Sequence, residues 1–281
     1  MARRGSRVLR DPRPGSAQEA WRQAATSGDR DRGAPGPRTP DEWIDQGPVR
    51  EEAERAVGRG VGTAPRRTAR STAPLPGEVA EDIERTAGPS KARRVQEVLQ
   101  EAVTAYERER FRDARRLLAP LVERSPGLAA ARELYGLTLY RLARWRDAIR
   151  ELEGFGQLSA SVDQLPVVAD CQRALGHHAE VDRLWDDLRR GGAGVEVLTE
   201  GRIVVAGSRA DRGDVRGAIR LLEQGPVEVR RPQEHHLRLW YALAATYERA
   251  GDVARARALF ARLVDADPEF ADAGARLDAL S

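Results

Sequence analysis

Four histidines, one cysteine and 44 carboxylates are the groups in this 281-residue chain that could do acid–base, nucleophilic or metal chemistry, and their spacing argues against all three. The histidines fall as two adjacent pairs, His177-His178 and His235-His236. Neighbouring residues on a helix point about 100° apart, so neither pair turns two ligands to one side. A single Cys, Cys171, excludes any Cys-pair zinc site, and its run Val167-Val168-Ala169-Asp170-Cys171 reads as helix packing. The sequence has no His-Glu-x-x-His and no Gly-x-Ser-x-Gly. A phosphate loop needs a Gly-Lys pair, whereas the only lysine, Lys91, follows Ser90. Gly58-x-Gly60-x-Gly62 is rich in glycine but has no strand before it and reads as linker. With 32% of residues charged, no carboxylate pair stands out. The expectation is a protein with no catalytic residues, no metal and no cofactor, and not an enzyme.

The elements that carry the remaining chemistry are announced by repetition. Arg110-Phe111-Arg112-Asp113-Ala114 returns as Arg144-Trp145-Arg146-Asp147-Ala148, with Arg116 and Leu118 returning as Arg150 and Leu152. The shift of 34 residues is the period of a stacked helical array. With the Ala of this pentad as marker, Ala114, Ala148, Val181, Ala218 and Ala256 define five units. A glycine precedes each of the last three markers (Gly176, Gly213, Gly251), where it suits the left-handed end of a helix. Glu109 and Ala143 take that place in the first two units, which implies differently wound turns there. In the fifth unit Val253, Ala256, Leu259, Phe260 and Leu263 form an apolar stripe at helical spacing. Val79 and Ile83, four apart, mark a helix over 77–86 that covers the open end of the first unit.

Trp240-x-x-Leu243-Ala244-x-x-Tyr247, then Ala256-x-x-x-Phe260, then Pro268 resembles the tetratricopeptide repeat signature, with Ala for the usual Gly. The likeness thins elsewhere: Arg132 and Arg202 stand at the Trp position of units two and four. It covers roughly residues 90–281, and the whole chain is similar to tetratricopeptide-repeat proteins of GC-rich actinobacteria. The fold expected is an all-α solenoid of about five helix-turn-helix repeats. Its units run about 95–128, 129–161, 162–198, 199–236 and 237–269, closed by a capping helix over 268–280 that starts at Asp267-Pro268.

Composition divides the chain near residue 77. Residues 1–77 hold nine Pro, ten Gly and few aliphatics, with 15 Arg against 10 acids, a net of +5. The remainder carries 32 basic and 34 acidic residues. Such a leader cannot offset its ordering entropy and is expected to be disordered. One stretch differs: Thr39-Pro40-Asp41-Glu42 is a helix start, so a short helix within 40–57 would display Trp43 and Ile44 for docking. No apolar run follows Met1-Ala2-Arg3-Arg4, and no stretch approaches the ~18 apolar residues of a membrane span. Together with the lone cysteine, these features point to the cytoplasm and away from a membrane.

What is left is a binding surface. The resemblance implies that the first helix of each unit lines a concave groove, which places Tyr106, Tyr140, Arg141, Arg173, Arg238 and Tyr241 on it. Tyr and Arg are favoured at interaction hot spots. The same residues would alternatively pack between helices (the Tyr) or form a solvated face (the Arg). The family's carboxylate clamp uses Lys and Asn; this chain has no Asn, and its one Lys precedes the array, so that clamp is absent. The function expected is a non-enzymatic scaffold that binds a peptide or partner protein, with no small-molecule substrate evident. The alternative is a weak nucleic-acid or ribosome-associated factor that uses its Arg-rich leader for RNA contact.

Overall fold

The computed structural model of the chain describes residues 75 and 77–280. The leader, including Trp43, Ile44 and the helix expected within 40–57, lies outside the described residues. Twelve helices are formed among them, and no strand. No described helix is long and apolar enough to cross a membrane. The contacts divide the chain into two compact units, whose described parts are residues 75–159 and 160–280.

The first unit contains α1 (Gly77–Ala87), α2 (Pro89–Glu107), α3 (Phe111–Arg124), α4 (Ala129–Arg141) and α5 (Trp145–Ser159). Pro89 opens α2, at the one place in a helix where its missing N–H costs nothing. α2 with α3 and α4 with α5 are helix-turn-helix hairpins packed side by side. Val79 and Ile83 of α1 are buried in one core with Leu99, Ala102, Ala114, Leu118, Leu128 and Leu134, so α1 covers the first hairpin. α4 and α5 approach closely at Gly136, where a Cβ would come within 2.5 Å of Leu152 Cδ2 and 3.2 Å of the Leu152 backbone nitrogen.

The second unit contains α6 (Leu165–Ala174), α7 (His178–Arg190), α8 (Val195–Asp211), α9 (Val215–Glu223), α10 (Glu234–Arg249), α11 (Val253–Ala266) and α12 (Ala273–Ala279). Three further hairpins, α6–α7, α8–α9 and α10–α11, stack here and α12 closes the last of them. The five markers Ala114, Ala148, Val181, Ala218 and Ala256 are all at 0% exposure. The signature residues Trp240, Leu243, Ala244, Tyr247 and Phe260 are buried as well. The Trp240 indole N–H donates to the Val227 carbonyl at 2.8 Å. At the equivalent positions Arg132 donates to the Pro126 carbonyl (2.7 Å) and Arg202 to that of Leu221 in α9 (2.9 Å), so each arginine keeps a backbone bond but to a different part of the chain.

Three local expectations are corrected. The turns at Glu109 and Ala143 are wound like those at Gly176, Gly213 and Gly251: φ is 57° and 56° against 76°, 87° and 78°. Each turn makes the same two bonds, as when Ala143 N–H meets the Tyr140 carbonyl and Arg144 N–H that of Leu139, both at 2.9 Å. The paired bonds hold even a residue with a Cβ in the left-handed region. Val253 is 47% exposed and stands outside the buried stripe, because it is the first residue of α11, before that helix meets α10. The capping helix begins at Ala273 rather than at Pro268. The chain first turns through Ala271 (φ 51°), which seats Phe270 in the core against Tyr241.

Candidate functional site

The first helices of the hairpins, α2, α4, α6, α8 and α10, carry the residues singled out for binding. In the first unit, Tyr106 is half-buried with its ring edge-on to Phe111 at 5.4 Å. Tyr140 is buried and meets Trp145 in the same way at 5.6 Å. Each ties the end of a first helix to the start of its second. Arg141 is also buried, its guanidinium 4.3 Å above the Phe111 ring and 3.5 Å from Glu109. Inter-helix packing therefore leaves little of Tyr140 or Arg141 exposed, as the packing alternative has it.

In the second unit the candidates form a row of ties between successive first helices. Arg173 of α6 bonds Asp170 on its own helix and Asp211 of α8, each at 3.0 Å. Arg238 of α10 reaches Glu200 of α8 at 3.0 Å and also pairs with Glu234. The Tyr241 hydroxyl donates to Asp272 at 2.6 Å, just before α12, and accepts from Arg276 at 3.3 Å. Arg276 in turn pairs with Glu248 of α10. Burial pushes the Glu200 carboxyl above its ordinary value, against the pull of Arg238. The side chains of Arg173 and Arg238 keep 13% and 16% exposure, so the row is a half-open polar face rather than an interior network.

Asp170 and Glu248 lie on the face that the repeat register gives the first helices, whereas Asp211, Glu200, Glu234, Asp272 and Arg276 escaped the sequence reading. Except for Glu234, the partners of these five lie 28–38 residues away, about one repeat. Opposite charges one period apart on first helices were the available signal.

Cys171, His235 and His236 are packed, whereas His177 is exposed. Cys171 is at 0% exposure, and burial pushes its thiol well up. His235 and His236 are buried with ring centroids 3.9 Å apart. Nδ1 of His236 accepts the Gln233 N–H at 3.0 Å. Burial, followed by the neighbouring His236, holds His235 below the usual imidazole value. Among the described residues, no group of three or more His, Cys, Asp or Glu is placed to hold a metal ion.

Residues 237–277, which span most of α10, all of α11 and most of α12, match the family model of the tetratricopeptide repeat. Among solved structures, the crystal structure of a thermophilic tetratricopeptide-repeat protein from Thermus thermophilus is similar, with a TM-score of 0.50 and 17% identity. That likeness covers 66% of this chain and 98% of the other, and at such identity it speaks for the fold alone. No curated protein matches the chain significantly.

Proposed function

We propose that this tetratricopeptide-repeat-like protein is a scaffold that binds a peptide or partner protein along the first-helix face of its second unit. The fold supports the reading in general terms, because stacked hairpins offer shape and an extended face of side chains. The observation that carries it is the row Arg173, Arg238, Tyr241 and Glu248, held at fixed positions by ties between helices. A face ordered before contact loses little side-chain freedom on binding. Its partly buried Arg and Tyr groups offer the amphipathic area that interaction hot spots use. Tyr106 contributes an equivalent half-buried ring in the first unit. Trp43 and Ile44 remain a separate docking proposal for the leader.

Site-specific photo-crosslinking on the full-length chain tests this. A crosslinker at Tyr241 is expected to capture a discrete set of proteins, whereas one at Arg257, exposed on α11, captures none of them. Equal capture from both positions, or none from Tyr241, would overturn the proposal.

A further inference from the structure

The first unit has a basic cleft of about 600 Å³ where the first turn of α3 faces the end of α4. Arg112, Arg115 and Arg116 line one wall, and Arg141, Leu142 and Arg144 the other, with Asp113 the single acid in the lining. Asp113 is engaged by Arg116 and, at 3.8 Å, by Arg110. Arg144 pairs with Asp147 at 2.8 Å. Arg112 and Arg115 have no ion pair among the described residues. Counting the flanking groups, six guanidiniums (110, 112, 115, 116, 141 and 144) face three carboxylates (Glu109, Asp113 and Asp147).

A second, independent feature comes from within the cleft. The Arg141 side chain is only 3% exposed, and its Nε and one terminal nitrogen (Nη2) make no hydrogen bond. Its nearest acid, Glu109, stands 3.5 Å away, beyond a good hydrogen bond. A buried guanidinium held on an aromatic ring with donors unmet is costly unless a further acceptor arrives. The adjoining helix end adds to the imbalance. Arg110 at the N-cap of α3 gives no side-chain acceptor, so the positive end of that helix is crowded by further positive charge.

We propose that this cleft binds a phosphate dianion, either free or as the monoester on a side chain of a peptide. A tetrahedral dianion accepts from several arginine forks at once and matches the surplus of charge, whereas a lone carboxylate is satisfied by one fork. The balance of 15 basic to 14 acidic residues over 78–159 makes the cleft a local site rather than part of a basic stripe. Its lining contains no aromatic ring on which a nucleobase could stack. The proposal does not rest on the first-helix face of the second unit, since none of its residues lie there.

The test is calorimetric titration of the full-length chain with four probes. These are inorganic phosphate, a blocked pentapeptide with one phosphoserine among alanines, the same peptide unphosphorylated, and a short single-stranded RNA. Arg112 and Arg115 are exposed, so Arg112→Ala and Arg115→Ala leave the fold intact. Each is expected to weaken phosphate binding about tenfold, while Arg257→Ala on α11 changes nothing. Binding of both phosphate and phosphopeptide with this dependence supports a site for the ester; binding of inorganic phosphate alone supports one for the free ion. Equal affinity for the two peptides together with no phosphate binding overturns the proposal. So does phosphate binding that both Arg variants retain, or RNA binding that exceeds the phosphopeptide and depends on the same two arginines.

Discussion

The two units solve one local problem with different residues. Every hairpin turns through a left-handed residue closed by the same pair of backbone bonds. In the second unit that residue is glycine; in the first it is Glu109 or Ala143. The next helix then starts from Asp214 or Asp252 in the last two hairpins, whose carboxylates accept from the Gly217 and Arg255 N–H groups. In the first unit the same place is held by Arg110 and Arg144. The clefts beside these starts differ to match. The one in the second unit is also lined by five arginines. There Arg212 pairs with Asp182, Arg189 with Asp186, and Arg202 and Arg209 donate to backbone carbonyls. The second unit's cleft engages four of its five arginines, whereas the first unit's leaves Arg112 and Arg115 without an ion pair among the described residues. A shared backbone therefore does not imply a shared surface.

Four measurements can break or sharpen this contrast. The units are expected to agree at the helix crossings. Ala148→Leu and Ala218→Leu insert volume at fully buried markers, and each should cost about 1–3 kcal/mol in a denaturant titration. A neutral result at either site would mean that the repeats do not correspond. At the helix starts the units should diverge. Asp214→Ala should lose about 1 kcal/mol with its cap, whereas Arg110→Asp should gain about 0.5–1 kcal/mol and weaken phosphate binding.

The turns should respond with opposite signs. A Cβ on Gly213 meets nothing within 4 Å, so Gly213→Ala isolates the backbone cost, about 1 kcal/mol, whereas Ala143→Gly should stabilise by about 0.5–1 kcal/mol. Equal signs would show that the two turns differ in more than the residue they hold. The smallest effect concerns His235 in the second unit. Burial lowers its affinity for a proton in the fold, so as pH falls through about 6.5 the unfolded chain takes up a proton that the native state resists. Stability is lost over that fall, from the ordinary imidazole value down toward the lowered one. His235→Phe should flatten that limb of the stability profile relative to the parent chain; parallel profiles would place the acid sensitivity elsewhere.

The repeat was legible because packing at a helix crossing leaves little choice of side chain. Ala148, Ala218 and Ala256 could be placed by counting, and their burial follows from the small volume available there. The fate of the arginines was not legible. Arg141 and Arg112 are alike in sequence, yet one is buried on Phe111 and the other is exposed. Some arginines are engaged by a carboxylate in a neighbouring hairpin, which local sequence does not announce, as with Arg173 and Asp211 or Arg238 and Glu200. The start of α12 was misjudged for a related reason: the acid–Pro pair is a local signal, and the burial of Phe270 overrode it.

The row of ties on the second unit makes its surface self-occupied. An acidic side chain arriving there gains an arginine only by releasing Asp211, Glu200 or Glu248 from it, so one ion pair is exchanged for another of similar strength. Charge alone then gives a visitor little advantage, and what is selected is the spacing of its acidic groups along the row. The same exchange loosens the stack from which it borrows, so occupancy and rigidity of that unit are coupled, and salt acts on both together.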